Sequence, residues 1–141
     1  MTIQPWTAVL LGALLLSLIT VESGGWFLTR VVRGSVPANA LQTSFFRAGH
    51  AHAAVLLLLS LAVIPLLDTA ELPLAIDLIA RFGIPTAALL MPAGFFLSVL
   101  GRDPQRPGRA IAVLWIGAAS LTLGLAAAGV GLIGAGVSQF G

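Results

Sequence analysis

Four long apolar stretches, parted by three short polar ones, set the pattern of this chain. They cover about residues 6–28, 41–67, 73–101 and 110–133. Each exceeds the roughly 20 mostly apolar residues that a helix needs to cross a hydrocarbon core. The pattern predicts four spanning helices in a single domain, residues 1–141: an all-α, integral membrane four-helix bundle. Pro85 and Pro92 fall inside the third span, where each removes a backbone hydrogen bond, so kinks or broken turns are expected there. Asp77 and Arg81 sit i,i+4 in the same span and read as a packing pair. Glu22 lies within the first span, followed by Ser23, Gly24 and Gly25, which could loosen the helix or admit a close neighbour. In the fourth span, Ser120, Gly124 and Ala128, and again Ala127, Gly131 and Ala135, repeat small residues every fourth position. That spacing lets helix backbones approach, within the chain or between copies. The Gly-rich tail from Gly134 to Gly141 is expected to fray.

Composition sharpens this picture. The chain is 58% hydrophobic and only 9% charged, whereas soluble domains average about a quarter charged residues. Cysteine is absent, which excludes disulfides, thiolate metal sites and cysteine nucleophiles. A net charge of +2 gives no argument for nucleic acid as a partner. No basic segment precedes the first span, so a cleaved signal peptide is not expected. Arg30, Arg33, Arg47, Arg102, Arg106 and Arg109 fall at two connections, while Asp68 and Glu71 occupy the third. The positive-inside rule then puts both termini on the non-cytoplasmic side of an inner (cytoplasmic) membrane, in a multi-pass protein surrounded by lipid bilayer.

His50 and His52 are the only histidines, and both lie just inside the arginine-rich mouth of the second span. An ionisable ring in a spanning helix is a functional-site hypothesis by default. At i,i+2 the two rings project about 200° apart, so one metal ion cannot readily take both. No Cys, third His or carboxylate cluster completes a zinc set. A porphyrin iron needs only one protein imidazole, and its propionates would find Arg47, Arg30 and Arg33 near the water boundary. Glu22, Met91, Phe95, Phe96 and Trp115 lie at comparable depth on the other spans. Glu22 is the candidate to orient an imidazole, and the rings, with Phe46, are candidate cofactor walls. The alternative is structural: a histidine that only hydrogen-bonds a backbone carbonyl or Glu22.

The segment Phe46, Arg47, Ala48, Gly49, His50 resembles the aromatic–Arg–Ala–His segment of styrene oxide isomerase, a family of small four-helix membrane enzymes. A second likeness is the run from Ala93 through Gly94, Phe95 and Phe96 to Ser98, with Pro104 and Arg106 after it, similar to that family's Gly-Phe-Tyr run and Pro/Arg loop. The resemblance implies haem b with His50 as the iron ligand, and a homotrimer with haem between protomers. It also implies that ferric iron acts as a Lewis acid, isomerising a small apolar aryl epoxide to an aldehyde. Two positions depart from the family. Leu56 or its neighbours stand where the isomerases carry Asn, and Phe96 stands where they carry Tyr. The alternatives are a small b-type cytochrome, with His52 of a neighbour or Met91 as second ligand, and a cofactor-free membrane subunit or transporter.

Overall fold

The structure is a computed structural model that describes residues 2–140. It holds four helices: α1 (Pro5–Val32), α2 (Ala40–Leu67), α3 (Leu74–Ser98) and α4 (Ile111–Val137). All four are long and apolar enough to cross a membrane. They pack in chain order, α1 on α2, α2 on α3 and α3 on α4, with the α3–α4 seam the most extensive. Large apolar side chains such as Val9, Leu16, Leu89 and Val130 are exposed. A helix surrounded by hydrocarbon keeps such residues outside, because lipid tails are as apolar as the side chains.

Helix ends follow local chemistry. Arg33 caps α1, and Gly34 follows with φ 72°. The Gly34 N–H donates to Val31 O and the Ser35 N–H to Arg30 O, the paired bonds by which a left-handed glycine closes a helix. α2 opens with a capping box in which the Asn39 side chain accepts the Gln42 N–H and the Gln42 side chain accepts the Asn39 N–H. α1 runs four residues beyond its expected end. α3 stops at Ser98, three residues before its expected end, and the Gly108 N–H then donates to Ser98 O. Pro85 and Pro92 leave α3 unbroken along its length, so broken turns do not occur there. The tail does not fray where expected: α4 continues through Gly134 and Gly136 to Val137, and the Ser138 N–H donates to Gly134 O. Gly141 lies outside the described residues.

Glycines set the α3–α4 spacing. A Cβ at Gly83 would stand 2.5 Å from Gly124 Cα, and the Ser120 hydroxyl donates to Gly83 O at 2.9 Å. The Ser120, Gly124, Ala128 series therefore packs inside the chain. Gly131 meets Leu72, from the α2–α3 connection.

At the end that carries the termini, a polar network ties three helices together. The Arg81 guanidinium donates to Asp68 Oδ1 and to Asp77 Oδ1, both at 2.7 Å. The Thr7 hydroxyl (2.9 Å) and the Gln4 N–H (2.9 Å) also donate to Asp68, and Arg81 lies 4.4 Å from the Trp6 ring centroid. Arg81 is 3% exposed and the Asp68 side chain 0%. The expected Asp77–Arg81 pair is present, and Asp68 completes it across the α2–α3 turn. Burial pushes the Asp68 carboxyl up, but the Gln4 N–H, the Arg81 guanidinium and the Thr7 hydroxyl outweigh burial and hold it below its ordinary 3.8.

Removing one partner of a buried pair strands the other. Asp68→Ala should lower stability by about 3 kcal/mol, read from denaturant unfolding in detergent. Because the folded-state value is depressed, the carboxylate's contribution is full above pH 3.8 and fades as pH falls through the folded value. Acidification below 3.8 should therefore speed amide exchange in the first turn of α1 before it does so in α4.

Candidate functional site

The arginine-rich end gathers the C-terminus of α1, the N-terminus of α2 and the C-terminus of α3. The buried Gln42 side chain, besides capping α2, donates to Val99 O and Gly101 O, each at 3.1 Å. Asn39 Nδ2 donates to Asp103 Oδ1 and Pro104 O, each at 2.8 Å. These bonds fix the start of α2 against the end of α3, and so set where the next turns of α2 point.

Those turns carry an aromatic cluster. Phe46 stacks on Phe96 with centroids 5.4 Å apart and meets Phe27 of α1 edge-on at 5.4 Å. Phe45 meets Phe95 edge-on at 5.6 Å. Gly49 makes this fit possible, since a Cβ there would stand 2.9 Å from the Phe96 ring. Phe46, Phe95 and Phe96 are thus brought together as the sequence suggests.

The two imidazoles lie on opposite flanks of α2. His50 leans on α1, across Gly24 and Gly25. A Cβ at Gly24 would be 3.3 Å from His50 Nδ1, and one at Gly25 would be 3.6 Å from Nε2. The glycine pair admits a close neighbour, and that neighbour is the imidazole. Neither ring nitrogen of His50 has a hydrogen-bond partner among the described residues. His52 faces the other way, with its ring 5.0 Å from that of Phe95 on α3. Its Nδ1 is 2.8 Å from Ala48 O. Carbonyl oxygen only accepts, so Nδ1 carries the proton and Nε2 keeps its lone pair.

Closer to the arginine-rich end, the α1–α2 seam opens into a groove of about 400 Å³ lined by Leu28, Thr29, Val32, Arg33 and Arg47. Leu28 and Thr29 are one turn beyond Gly25, and Arg47 is one turn before His50. The groove itself is lined by neither imidazole and lies about one turn from His50, on its arginine-bearing side. Arg33 and Arg47 are exposed and form no ion pair among the described residues, where both ion pairs belong to Arg81. Arg30 instead lies 5.0 Å from the Trp26 ring centroid.

Three expected members stand apart. Glu22 is exposed and hydrogen-bonds neither imidazole. It is two residues from Gly24 and three from Gly25, which puts it at the edge of the face that meets His50, with its side chain exposed. The orienting acceptor is instead the backbone carbonyl of Ala48, and it serves His52. Trp115 is 68% exposed on α4 and stacks on no ring of the cluster. Met91, at 8% exposure, is buried in the core against Gly117 of α4, so its thioether is not presented to either imidazole. The sequence reading missed the Gly24–Gly25 cradle as a seat for His50, although the glycine pair itself was the visible signal.

Among the described residues no three His, Cys, Asp or Glu side chains converge on a metal position. A metal held here would have to bring most of its ligands with it. No family model matches the chain, and no curated protein or solved structure matches it either. The likeness to styrene oxide isomerase therefore rests on span count, chain order and the two short motifs.

The cradle predicts a selective chemical response. Gly25→Leu should lay bulk over the Nε2 edge of His50 and slow its carbethoxylation by diethyl pyrocarbonate several-fold. His52, on the other flank, should react as before, with peptide mass spectrometry reading each site.

Proposed function

We propose that this chain is a multi-pass membrane protein that binds haem b, with His50 Nε2 as the iron ligand. The observation that carries the reading is the α1–α2 seam. It holds an imidazole whose ring nitrogens have no hydrogen-bond partner among the described residues, seated against a glycine pair of α1, and, about one turn away, a groove lined by Arg33 and Arg47, which form no ion pair among the described residues. This set fits a group that asks the protein for one nitrogen donor, an apolar wall and cations at the rim. His50 would hold the iron, Leu28 and Val32 would line the ring face, and Arg33 and Arg47 would pair with the two propionates. When bound, haem b supplies a Lewis-acidic or one-electron iron centre. Phe46 and Phe96 would keep water from the inner side of α2.

Arginines at this end support a cytoplasmic position for it, with both termini outside. Epoxide isomerisation is the narrower proposal, drawn from the family resemblance, with an aryl epoxide as substrate. It needs a polar group beside an open iron position. Leu56 is 4% exposed within the core and Phe96 is stacked on Phe46, so neither offers one. Haem ligation is accordingly the reading we carry forward.

Absorption spectroscopy of detergent-purified protein, expressed with haem supplied, tests it. A Soret band that His50→Ala abolishes is the expected result. A colourless preparation of helical protein overturns the proposal.

A further inference from the structure

The α3–α4 connection, residues 99–110, carries Arg102, Arg106 and Arg109, none of which lines the groove of the α1–α2 seam. All three are exposed and form no ion pair among the described residues, where both ion pairs belong to Arg81. The one carboxylate on this connection is Asp103, and its Oδ1 accepts from Asn39 Nδ2 at 2.8 Å rather than from a guanidinium. The backbone that presents the arginines is held at several points. Asn39 Nδ2 also donates to Pro104 O, and Gln42 Nε2 donates to Val99 O and Gly101 O. The Gln105 side chain donates to Asp103 O at 3.2 Å, and the Gly108 N–H to Ser98 O at 2.6 Å. Pro104 and Pro107 fix φ at two further positions. The capping residues of α2 thus clamp the connection, while its three guanidiniums have no ionic partner among the described residues.

Two exposed indoles relate this surface to a bilayer. Trp115 is about 6 Å inside the start of α4, and Trp26 about 9 Å before the end of α1. Indoles facing lipid gather at the headgroup level, so the connection beyond them stands where lipid phosphates are. Leu100, exposed two residues before Arg102, gives the surface an apolar edge against acyl chains. Charge decides between lipids. The connections and helix ends here bear six arginines against the single carboxylate of Asp103, and a surface of that sign attracts anionic headgroups but not zwitterionic ones. A guanidinium fork matches the two free oxygens of a phosphodiester. Arginines on a fixed backbone also lose less freedom on binding than arginines on a mobile loop. We infer that the α3–α4 connection is a preorganised headgroup site for anionic phospholipid of the leaflet at this end. Arg102, Arg106 and Arg109 meet the phosphate, and the Asn39 and Gln42 clamps keep them in place. The site needs no haem, so it stands or falls independently of His50 ligation.

Native mass spectrometry of the detergent-purified protein tests the site, with phosphatidylglycerol and phosphatidylcholine of the same acyl chains titrated in parallel. The wild-type protein should retain phosphatidylglycerol several-fold more tightly. Raising ammonium acetate from about 0.1 M to about 1 M, which shortens the Debye length from about 10 Å to about 3 Å, should erase most of that difference. R102Q/R106Q/R109Q should abolish the preference while circular dichroism stays helical and any Soret band is unchanged. Asn39→Ser keeps a side chain that caps α2 and keeps every charge, but it loses the amide that clamps Asp103 and Pro104. It should weaken phosphatidylglycerol binding several-fold. Equal retention of the two lipids by the wild-type protein, or a triple variant that keeps the preference, overturns the site. An Asn39→Ser protein that binds phosphatidylglycerol as tightly as wild type overturns its preorganisation.

Discussion

Close approach at glycine is the constraint on which the arrangement around α2 depends. Gly49 lets the Phe95 and Phe96 rings lie against α2 from one side, while Gly24 and Gly25 let the His50 ring lie against α1 on the other. Without a hydrophobic drive between helices in lipid, such contacts and the hydrogen bonds they permit hold the elements in register. α2 is thereby seated between its neighbours with a defined rotation. That rotation decides that one imidazole faces the α1 seam and the other faces away. A Cβ at Gly49 would stand 2.9 Å from the Phe96 ring and force a shift, whereas one at Gly24 or Gly25 would meet the His50 ring at 3.3–3.6 Å, so only a longer side chain would crowd the imidazole there.

The two ends of the bundle use polar groups in opposite ways. At the end bearing the termini, Arg81, Asp68, Asp77 and Thr7 satisfy one another in a closed set. A buried charge in such a network serves register and cohesion rather than recognition. At the other end the polar bonds join backbone and amide groups, as with Gln42 and Asn39, while Arg33 and Arg47 are left exposed and unpaired beside an apolar groove. Unpaired guanidiniums at the rim are free to meet an anion. This contrast, more than any single residue, is what supports the proposal of a ligand at the histidine end.

The sequence made the helices legible because each span is an unbroken apolar run, and no tertiary contact was needed to recognise it. The opposed directions of His50 and His52 were also legible, since a spacing of two residues fixes the angle between them. Glu22 was read by depth alone. Its exposure and its lack of a bond to either imidazole depend on the rotation of α1, which depth does not fix. What sequence could not give was which helix faces which. The pairing of Asp68 with Arg81 joins residues 13 apart across a turn, and the seat of His50 on Gly24 joins two separate spans. Such contacts depend on helix rotation, which an apolar run of any phase leaves open. The helical tail through Gly134 and Gly136 has a similar origin: glycine is a poor helix former in water, but inside a bilayer an unpaired backbone amide is worse.

The Arg81 network also bears on how the chain enters its membrane. A lone arginine in a spanning helix opposes insertion by about 2.5–3.5 kcal/mol at the helix centre, and α3 offers it only Asp77 from its own length. Asp68 arrives at the end of α2 and Thr7 near the start of α1, both of which leave the ribosome earlier. By the time α3 emerges, the groups that neutralise and solvate its guanidinium have already been synthesised. Chain order therefore supplies both outside partners of Arg81, on the first hairpin, before the helix that needs them.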